Sequence, residues 1–459
     1  MKKVKASLLL LFFSAVLVAT PATYAELSEG LLANSTELRK SYVEYQKSLL
    51  DTKEAKGAYS PTIEAMMSAT YMANPPIGKI TMSADELMSQ LNYPAGMPRS
   101  TGYLTLYDGM PNTMYNASIT LTQPIFTWGK IGTGVKLREK AEEVRYTQIT
   151  DTEARLFAEL KTRLCAIYYL GELKKNLAEQ ETLSSRLIEL TESARDAGLM
   201  LEQDVLEVKM QARQINLASA EIDGTLTSLY AGLASLTGLY AIEERGIDYV
   251  PDVNEIEAYS SQDTDLLISY ATSSVQPTLH MLDTLSDIAN LKSELADKSI
   301  YWKPDLALQV SASYGGTRFP GEKGWYQNSD WGLNVTVALK TTVWDGGKKM
   351  YDIDRASFEE ESARTDRAEA VNRITSTIRE AKAQIEVADA RIEYATARLD
   401  TAAKRLELTK KQYELGAAGE DELIKKKLEM KGMEAEILQA EASKAEKAYT
   451  LAYLSGISK

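Results

Sequence analysis

Residues 126 to 238 of this chain can be laid on residues 344 to 456 at a constant offset of 218 positions without a gap. Gly129-Lys130 falls on Gly347-Lys348, Glu189-Leu190-Thr191 on Glu407-Leu408-Thr409, and Gly198 on Gly416. Leu233-Ala234 with Gly238 falls on Leu451-Ala452 with Gly456. Identity is sparse, but the register never slips. A period this long exceeds a solenoid unit and marks a duplicated domain. Any fold for the chain must therefore be buildable from two copies of one half-plan.

Residues 1–25 begin with Lys2, Lys3 and Lys5, continue with an apolar run from Ala6 to Val18, and end in the small-residue site Thr23-Tyr24-Ala25. This is the pattern of a secretory signal peptide, since the apolar run is too short for a membrane span. The mature chain is expected to begin at Glu26, and no cysteine stands there to carry a lipid. Losing three lysines takes the formal charge from -13 to -16, which argues against nucleic acid as a partner. The single cysteine, Cys165, allows no intrachain disulfide, and the single histidine, His280, leaves no Cys/His metal cluster. Both lie in helical patterns and are expected in packing or surface roles; no metal or cofactor is called for. No later apolar stretch reaches the roughly 18 to 20 residues of a transmembrane helix, so any membrane insertion must use strands.

Residues 26–58 read as a helix, with Leu27, Leu31, Leu38, Tyr42, Tyr45 and Leu49 near helical spacing. After Pro61 the period changes to two. Ile63, Ala65, Met67, Ala69 and Tyr71 alternate with polar or small residues, as do Ala117, Ile119, Leu121 and Gln123. The second half repeats this with Leu306, Leu308, Val310, Ala312 and Tyr314 after Pro304, then Trp331, Leu333, Val335, Val337 and Leu339. Strands are expected at about 62–72, 115–125, 305–314 and 331–343. Four strands of about 9 to 11 residues fit a lipid-facing barrel wall. An antiparallel sheet of a soluble domain shows the same alternation. Aromatic placement favours the barrel. Trp128, Trp302, Trp325, Trp331 and Trp344 lie at or beside strand ends or in a strand-connecting loop, with Tyr59, Tyr301, Tyr314 and Tyr326. Rings with a polar edge gather at the margins of a bilayer.

Each strand pair is followed by a long helical stretch. From Lys130 to Ala197 there is no proline, and Leu156, Leu160, Leu164, Ile167, Leu173, Leu177, Leu183, Leu187 and Leu190 keep an apolar face. Gly198 stops it, and a return helix runs to Thr237. The twin runs from Lys348 to Leu415, stops at Gly416 and returns to Leu454. At 1.5 Å per residue the long helix spans roughly 100 Å and the return helix about half of that. The helices at 26–58 and 265–300 could stack on the return helices and complete the length. Residues 239–263 read as a linker or belt. The connection 74–113, with Pro75-Pro76, Pro94, Pro98 and Pro111, contrasts with its short twin at 315–330 and belongs on an exposed end.

Four strands cannot close a barrel, and open edges in lipid leave backbone groups unpaired at several kcal/mol each. Closure needs at least about eight strands, so two copies would suffice and three would give twelve. The small positions Ser68, Thr70, Ser118, Thr120, Ser311, Ser313, Asn334 and Thr336 suit a wet lumen, which favours three.

These residues resemble the TolC-like outer-membrane efflux proteins of Gram-negative envelopes. The resemblance covers the mature chain. It rests on the duplicated plan, on Phe126-Thr127-Trp128-Gly129-Lys130 and Trp344-Asp345-Gly346-Gly347-Lys348, and on the turns Ala197-Gly198-Leu199 and Tyr413-Glu414-Leu415-Gly416 with their following acidic-apolar motifs. It implies a mainly α fold with a small β part. Three chains would form a 12-stranded outer-membrane barrel continuous with a periplasmic α-helical barrel. It further implies that Gly198, Leu199, Gly416 and Ala417 dock a periplasmic adaptor serving an inner-membrane RND, ABC or MFS transporter. Asp204 and Tyr413 match gate positions, and Glu422 matches a luminal acidic position. Ala418 replaces the family's reinforcing arginine, and Lys425 stands where a second carboxylate is expected. Trp128, Trp302, Trp331 and Trp344 would be membrane-interface aromatics.

The expected function is a passive exit duct for small toxic molecules. The alternatives are a duct for a type I protein secretion system and, from another class, a periplasmic coiled-coil structural protein. An enzyme is not expected. Gly129-x-x-Gly132-x-Gly134 matches no phosphate loop, and Glu142-Glu143 and Glu359-Glu360-Glu361 read as solvated helix faces.

Overall fold

The computed structural model describes residues 20–91, 102–273, 276–300, 302–323 and 330–456. Most of the expected signal peptide, together with Pro94, Pro98, Tyr301, Trp325 and Tyr326, lies outside the described residues. The chain forms two compact units, and each draws on both repeats. One takes its described residues from Met1–Leu49, Lys140–Ile288 and Glu360–Lys459, the other from Leu50–Glu139 and Ala289–Glu359.

The first repeat opens with β1 (Ala22–Thr23), α1 (Tyr24–Asn34) and α2 (Thr36–Gly57). The single helix expected over 26–58 is interrupted at Ser35. Its N–H donates to the Leu31 carbonyl at 3.0 Å and ends α1, while its hydroxyl accepts from Leu38 N–H at 3.3 Å and starts α2. The expected mature start at Glu26 falls inside α1. Upstream of it Ala22 is fully buried, and Thr23 caps the helix by accepting from Glu26 N–H.

Next come β2 (Thr62–Tyr71), β3 (Ile80–Ser83), α3 (Ala84–Gln90), β4 (Tyr103–Tyr107) and β5 (Thr113–Phe126). The proline-rich connection is thus partly ordered, with β3 and β4 paired antiparallel. The long hairpin is α4 (Lys130–Asp196) with α5 (Glu202–Thr237). The joining segment folds as α6 (Ile242–Arg245), β6 (Ile247–Asp248) and α7 (Val253–Ser260), and β6 pairs in parallel with β1.

The second repeat begins with α8 (Thr264–Ala271) and α9 (Pro277–Lys298) in place of one helix over 265–300. Asp263 caps α8 through Asp265 and Leu266 N–H. Pro277 opens α9, the first-turn position where a missing N–H costs nothing. Then follow β7 (Asp305–Gly316), β8 (Trp331–Lys340), α10 (Lys348–Glu414) and α11 (Glu420–Ser455). β8 ends three residues before its expected limit because Lys340 is opposite Asp305, and the preceding Pro304 has no N–H to extend the ladder. The hairpins agree to the residue: α4 and α10 have 67 residues each, α5 and α11 have 36 each.

In the sheet-bearing unit the order is β2-β5-β7-β8, antiparallel throughout, so β5 against β7 joins the two repeats. One register row runs Ile63, Leu121, Val310, Val335; the next runs Glu64, Thr120, Ser311, Asn334. All eight small positions expected to face a lumen share this second face, because side chains alternate with a period of two.

The helical unit is packed along its hairpins. Leu173 and Leu177 of α4 meet Ile215, Ala218 and Ile222 of α5 and Ala435 and Leu438 of α11. Along α10, Ala381, Ala388, Ala395 and Ala402 recur every seven residues and are buried. Small residues at that interval let a coiled partner approach closely. Leu27, Leu31, Leu156, Leu160, Leu164 and Leu233 form another core, each burial contributing about 1.5–3 kcal/mol. Glu255 of α7 ties the linker to both repeats, accepting from Lys161 of α4 and, at 3.2 Å, from the Tyr449 hydroxyl of α11. Beside it Cys165 is buried near Tyr249, and burial pushes its thiol up to about 11.

Candidate functional site

The hairpin tips repeat one backbone motif. At the end of α4, Gly198 takes φ +73°, Gly198 N–H donates to the Arg195 carbonyl at 2.8 Å, and Leu199 N–H donates to the Ala194 carbonyl at 2.9 Å. At the end of α10, Gly416 takes φ +75°, with Gly416 N–H to Tyr413 at 3.0 Å and Ala417 N–H to Gln412 at 2.7 Å. This is the Schellman closure of a helix, in which a left-handed residue satisfies the last carbonyls. A Cβ at either glycine would meet nothing within 4 Å, so glycine is needed for the backbone angle alone. Leu199 and Leu415 stand out from the two turns, 82 % and 84 % exposed.

Asp204 lies in the first turn of α5, where its carboxylate accepts from Leu201 N–H at 3.3 Å. It thereby caps a helix whose N-cap residue, Leu201, has no polar side chain. Tyr413 lies in the last turn of α10 and is exposed, and no hydrogen bond joins it to Asp204 within the chain. Glu422 lies in the first turn of α11 with Glu420 and Asp421, and Lys425 pairs with Asp421 at 3.2 Å. Lys425 therefore has a carboxylate partner one turn away.

Sequence reasoning missed the bond that ties one hairpin to the other. Arg186 of α4 donates from Nε and Nη2 to the two carboxylate oxygens of Glu420, each at 2.9 Å. This fork holds the Glu420 carboxyl below its ordinary range. Deeper along the same contact, Asn176 donates to Glu434 at 3.1 Å, and Lys431 bridges Glu179 at 2.6 Å and Glu434 at 2.9 Å. At the first tip Arg195 pairs with Asp196 at 2.8 Å and Glu202 at 3.0 Å.

At the sheet the expected aromatics separate into two groups. Trp128 donates from Nε1 to the Pro304 carbonyl at 2.9 Å and meets Phe126 and Trp302 edge-on, with centroids at 5.1 and 6.2 Å. Lys303 lies 4.8 Å over the Trp302 ring. Trp331 is opposite Tyr314 at the other end of the β7-β8 ladder, ring centroids 5.3 Å apart. Trp344, beyond β8, is exposed. Between these ends Ile63, Met67, Ile119, Leu333, Val335, Val337 and Leu339 are exposed on one face. Among the described residues no helix is long and apolar enough to cross a membrane.

The fold is shared with solved bacterial outer-membrane proteins. The Campylobacter jejuni CmeC outer membrane channel superposes with a TM-score of 0.73 at 11% identity, covering 94% of this chain and 85% of that one. The outer membrane protein VceC of Vibrio cholerae gives 0.70 at 14% identity, covering 94% and 95%. The Neisseria gonorrhoeae MtrE outer membrane channel, solved in its open state, gives 0.67 at 13% identity, covering 94% and 88%. No curated protein matches the sequence. The sequence profile of the Outer membrane efflux protein family, however, matches residues 27–239 and 295–456, which hold the strands and hairpins of both repeats and leave out 240–294. The chain belongs to the outer membrane efflux protein family.

Proposed function

We propose that three copies of this chain form an outer-membrane duct through which small toxic molecules leave the cell. The observation that carries this reading is the four-stranded sheet, apolar and exposed on one face, small and polar on the other. Among the described residues its outer strands β2 and β8 each pair on one side only. Three such sheets joined edge to edge give twelve strands, leave no open edge in lipid, and turn the Ser118, Ser311 and Asn334 face to an aqueous lumen.

The dimensions support this. The ladder from Asp305–Lys340 to Tyr314–Trp331 is about 30 Å along the strand at ~3.3 Å per residue. At a barrel tilt of roughly 40° it rises about 23 Å, close to the ~25 Å apolar band of such barrels. Trp128 and Trp302 at one end and Trp331 at the other would mark the two water-facing margins.

The helical hairpins continue the duct into the periplasm of a Gram-negative-type envelope. At the tips, Gly198, Leu199, Gly416 and Ala417 dock a periplasmic adaptor, which couples the duct to an inner-membrane RND, ABC or MFS transporter. Asp204 and Tyr413, apart in one chain, close the gate between copies, and Glu422 faces the lumen beside Lys425. No step of the transport is chemical, and no cofactor takes part.

The test is fractionation followed by planar-bilayer recording of the purified protein. Recovery in the outer membrane with single-channel conductance is expected. A soluble periplasmic protein with no conductance would sink the reading.

A further inference from the structure

Three alanines follow the apolar run near the start of the chain, Ala19, Ala22 and Ala25, and each is a small residue of the kind after which a signal peptidase cuts. Two positions upstream of each stand Leu17, Thr20 and Thr23, so side-chain size alone favours the two later sites. The folded chain weighs the other way, because the residues between these alanines are built into it. Ala22 is fully buried in the core that holds Leu27, Leu31 and Leu156. Its N–H donates to the Gly246 carbonyl at 2.9 Å, and β1 runs parallel to β6 with Ala22 opposite Ile247 and Thr23 opposite Asp248. Arg245 grips the segment at both ends. Its Nε donates to the Thr20 carbonyl at 3.0 Å, and its two terminal nitrogens donate to the Glu26 carboxylate at 2.7 and 2.8 Å. The Tyr24 ring lies 6.2 Å from that of Tyr249.

The duplicated plan points the same way. Thr23 caps α1, and Leu27 and Leu31, four and eight residues further on, are buried. Asp263 caps α8, and Leu267 and Ala271, at the same intervals, are buried. Thr23 is thus the first-repeat counterpart of a cap that stands in the middle of the chain. A cut after Ala25 would take this cap away and leave a cationic α-amino group on Glu26, where the start of a helix disfavours positive charge and the Arg245 guanidinium is already seated. A cut after Ala22 would remove β1 and the bond to Gly246.

We propose that signal peptidase hydrolyses the Ala19–Thr20 bond and that Thr20–Ala25 stay in the mature protein as a latch on the joining segment. Water adds across the amide: the C–N bond breaks, Ala19 leaves with the new carboxylate, and Thr20 keeps the new ammonium. Ala6–Phe13 is long enough to serve as the apolar core of the leader, eight residues against the roughly 7–15 of such cores, and Ser14–Ala19 becomes its cleavage region. The proposal is independent of the duct, since a chain cut elsewhere can still conduct.

Intact-mass measurement and N-terminal sequencing of the unaltered protein, recovered from the outer membrane, read the site directly. A start at Thr-Pro-Ala-Thr-Tyr-Ala is expected. A start at Thr23, at Glu26 or anywhere upstream of Thr20 would overturn the site. The latch has its own test. Deleting Thr20–Ala25, so that Ala19 is followed by Glu26, is expected to make tryptic cleavage after Arg245 at least several-fold faster, as mapped by the masses of the fragments. Ala22→Pro, which removes the N–H bonded to Gly246, is the milder variant for the case in which the shortened chain does not accumulate, and is expected to act in the same direction. Cleavage after Arg245 at the parent rate in the recovered variant would overturn the latch.

Discussion

Ahead of the junction glycine in the first repeat stands Trp128 at φ +55°; in the second repeat the same position is Gly346 at φ +73°. At the tips, Arg195 in the first repeat becomes Tyr413 in the second, and Glu202 becomes Glu420. The backbone is the same in both places, but the fastening differs. Trp128 accepts a left-handed conformation that glycine adopts freely, and its indole in return bonds to Pro304 and packs on Phe126 and Trp302. Glu202 closes on its own hairpin through Arg195. Glu420 has no arginine at the corresponding place and reaches Arg186 of the other hairpin. Duplication therefore preserved the turn geometry and left single side chains to decide whether a hairpin fastens to itself or to its neighbour.

Trp128→Gly gives the first junction the residue of the second. Strain is relieved, but the indole bond and ring packing are lost, so a net destabilisation of about 2 kcal/mol is expected in denaturant unfolding. No loss would mean that the tryptophan anchors nothing in the folded chain. Gly198→Ala and Gly416→Ala should each cost about 1–2 kcal/mol, because both residues are left-handed in open space and only the backbone angle is penalised. Unequal costs would show that one tip is held by something beyond its turn.

Tyr413→Arg sharpens the comparison further. The new guanidinium should draw Glu420 onto its own hairpin, break the fork to Arg186, and raise the resting conductance in planar bilayers a few-fold. A conductance unchanged from the parent protein would mean that the fork does not help hold the tip. The smallest expected effect is one of pH. Hydrogen bonding to Arg186 holds the Glu420 carboxyl below the ordinary value of 4.5. Its stabilisation is fully present above that value and is lost as pH falls through the lower folded-state value. Acid should therefore loosen the second tip below about pH 4.5, seen as rising leak, and Arg186→Gln should abolish that dependence.

Local chemistry made much of the fold legible. Proline-free runs ended by Gly198 and Gly416 placed both hairpins, and period-two alternation placed the four strands. Short-range competition was harder to read. Ser35 breaks a helix that the apolar spacing carries through, because its hydroxyl and N–H satisfy the groups on both sides. The β3–β4 pair hid in a segment whose prolines suggest only a loop, since two short strands of four and five residues show little period. Asp204, Tyr413 and Glu422 were placed at the tips by motif, but Arg186 was not singled out. A lone arginine on a helix face carries no signal until its carboxylate is known.

From its residues alone this protein had to be a duplicated molecule of strands and long hairpins, because period and turn chemistry act over a few neighbouring residues and survive in sparse identity. Folding in three dimensions settled which helix lies against which. Asn176 and Tyr394 stand at equivalent positions, yet one is buried and the other exposed, because the chain supplies a neighbour to the first and not to the second. Likewise β5 lies beside β7, so the two repeats share one sheet and each compact unit takes from both. Pairings of this kind join residues from 180 to more than 250 positions apart, a distance over which periodicity carries no information.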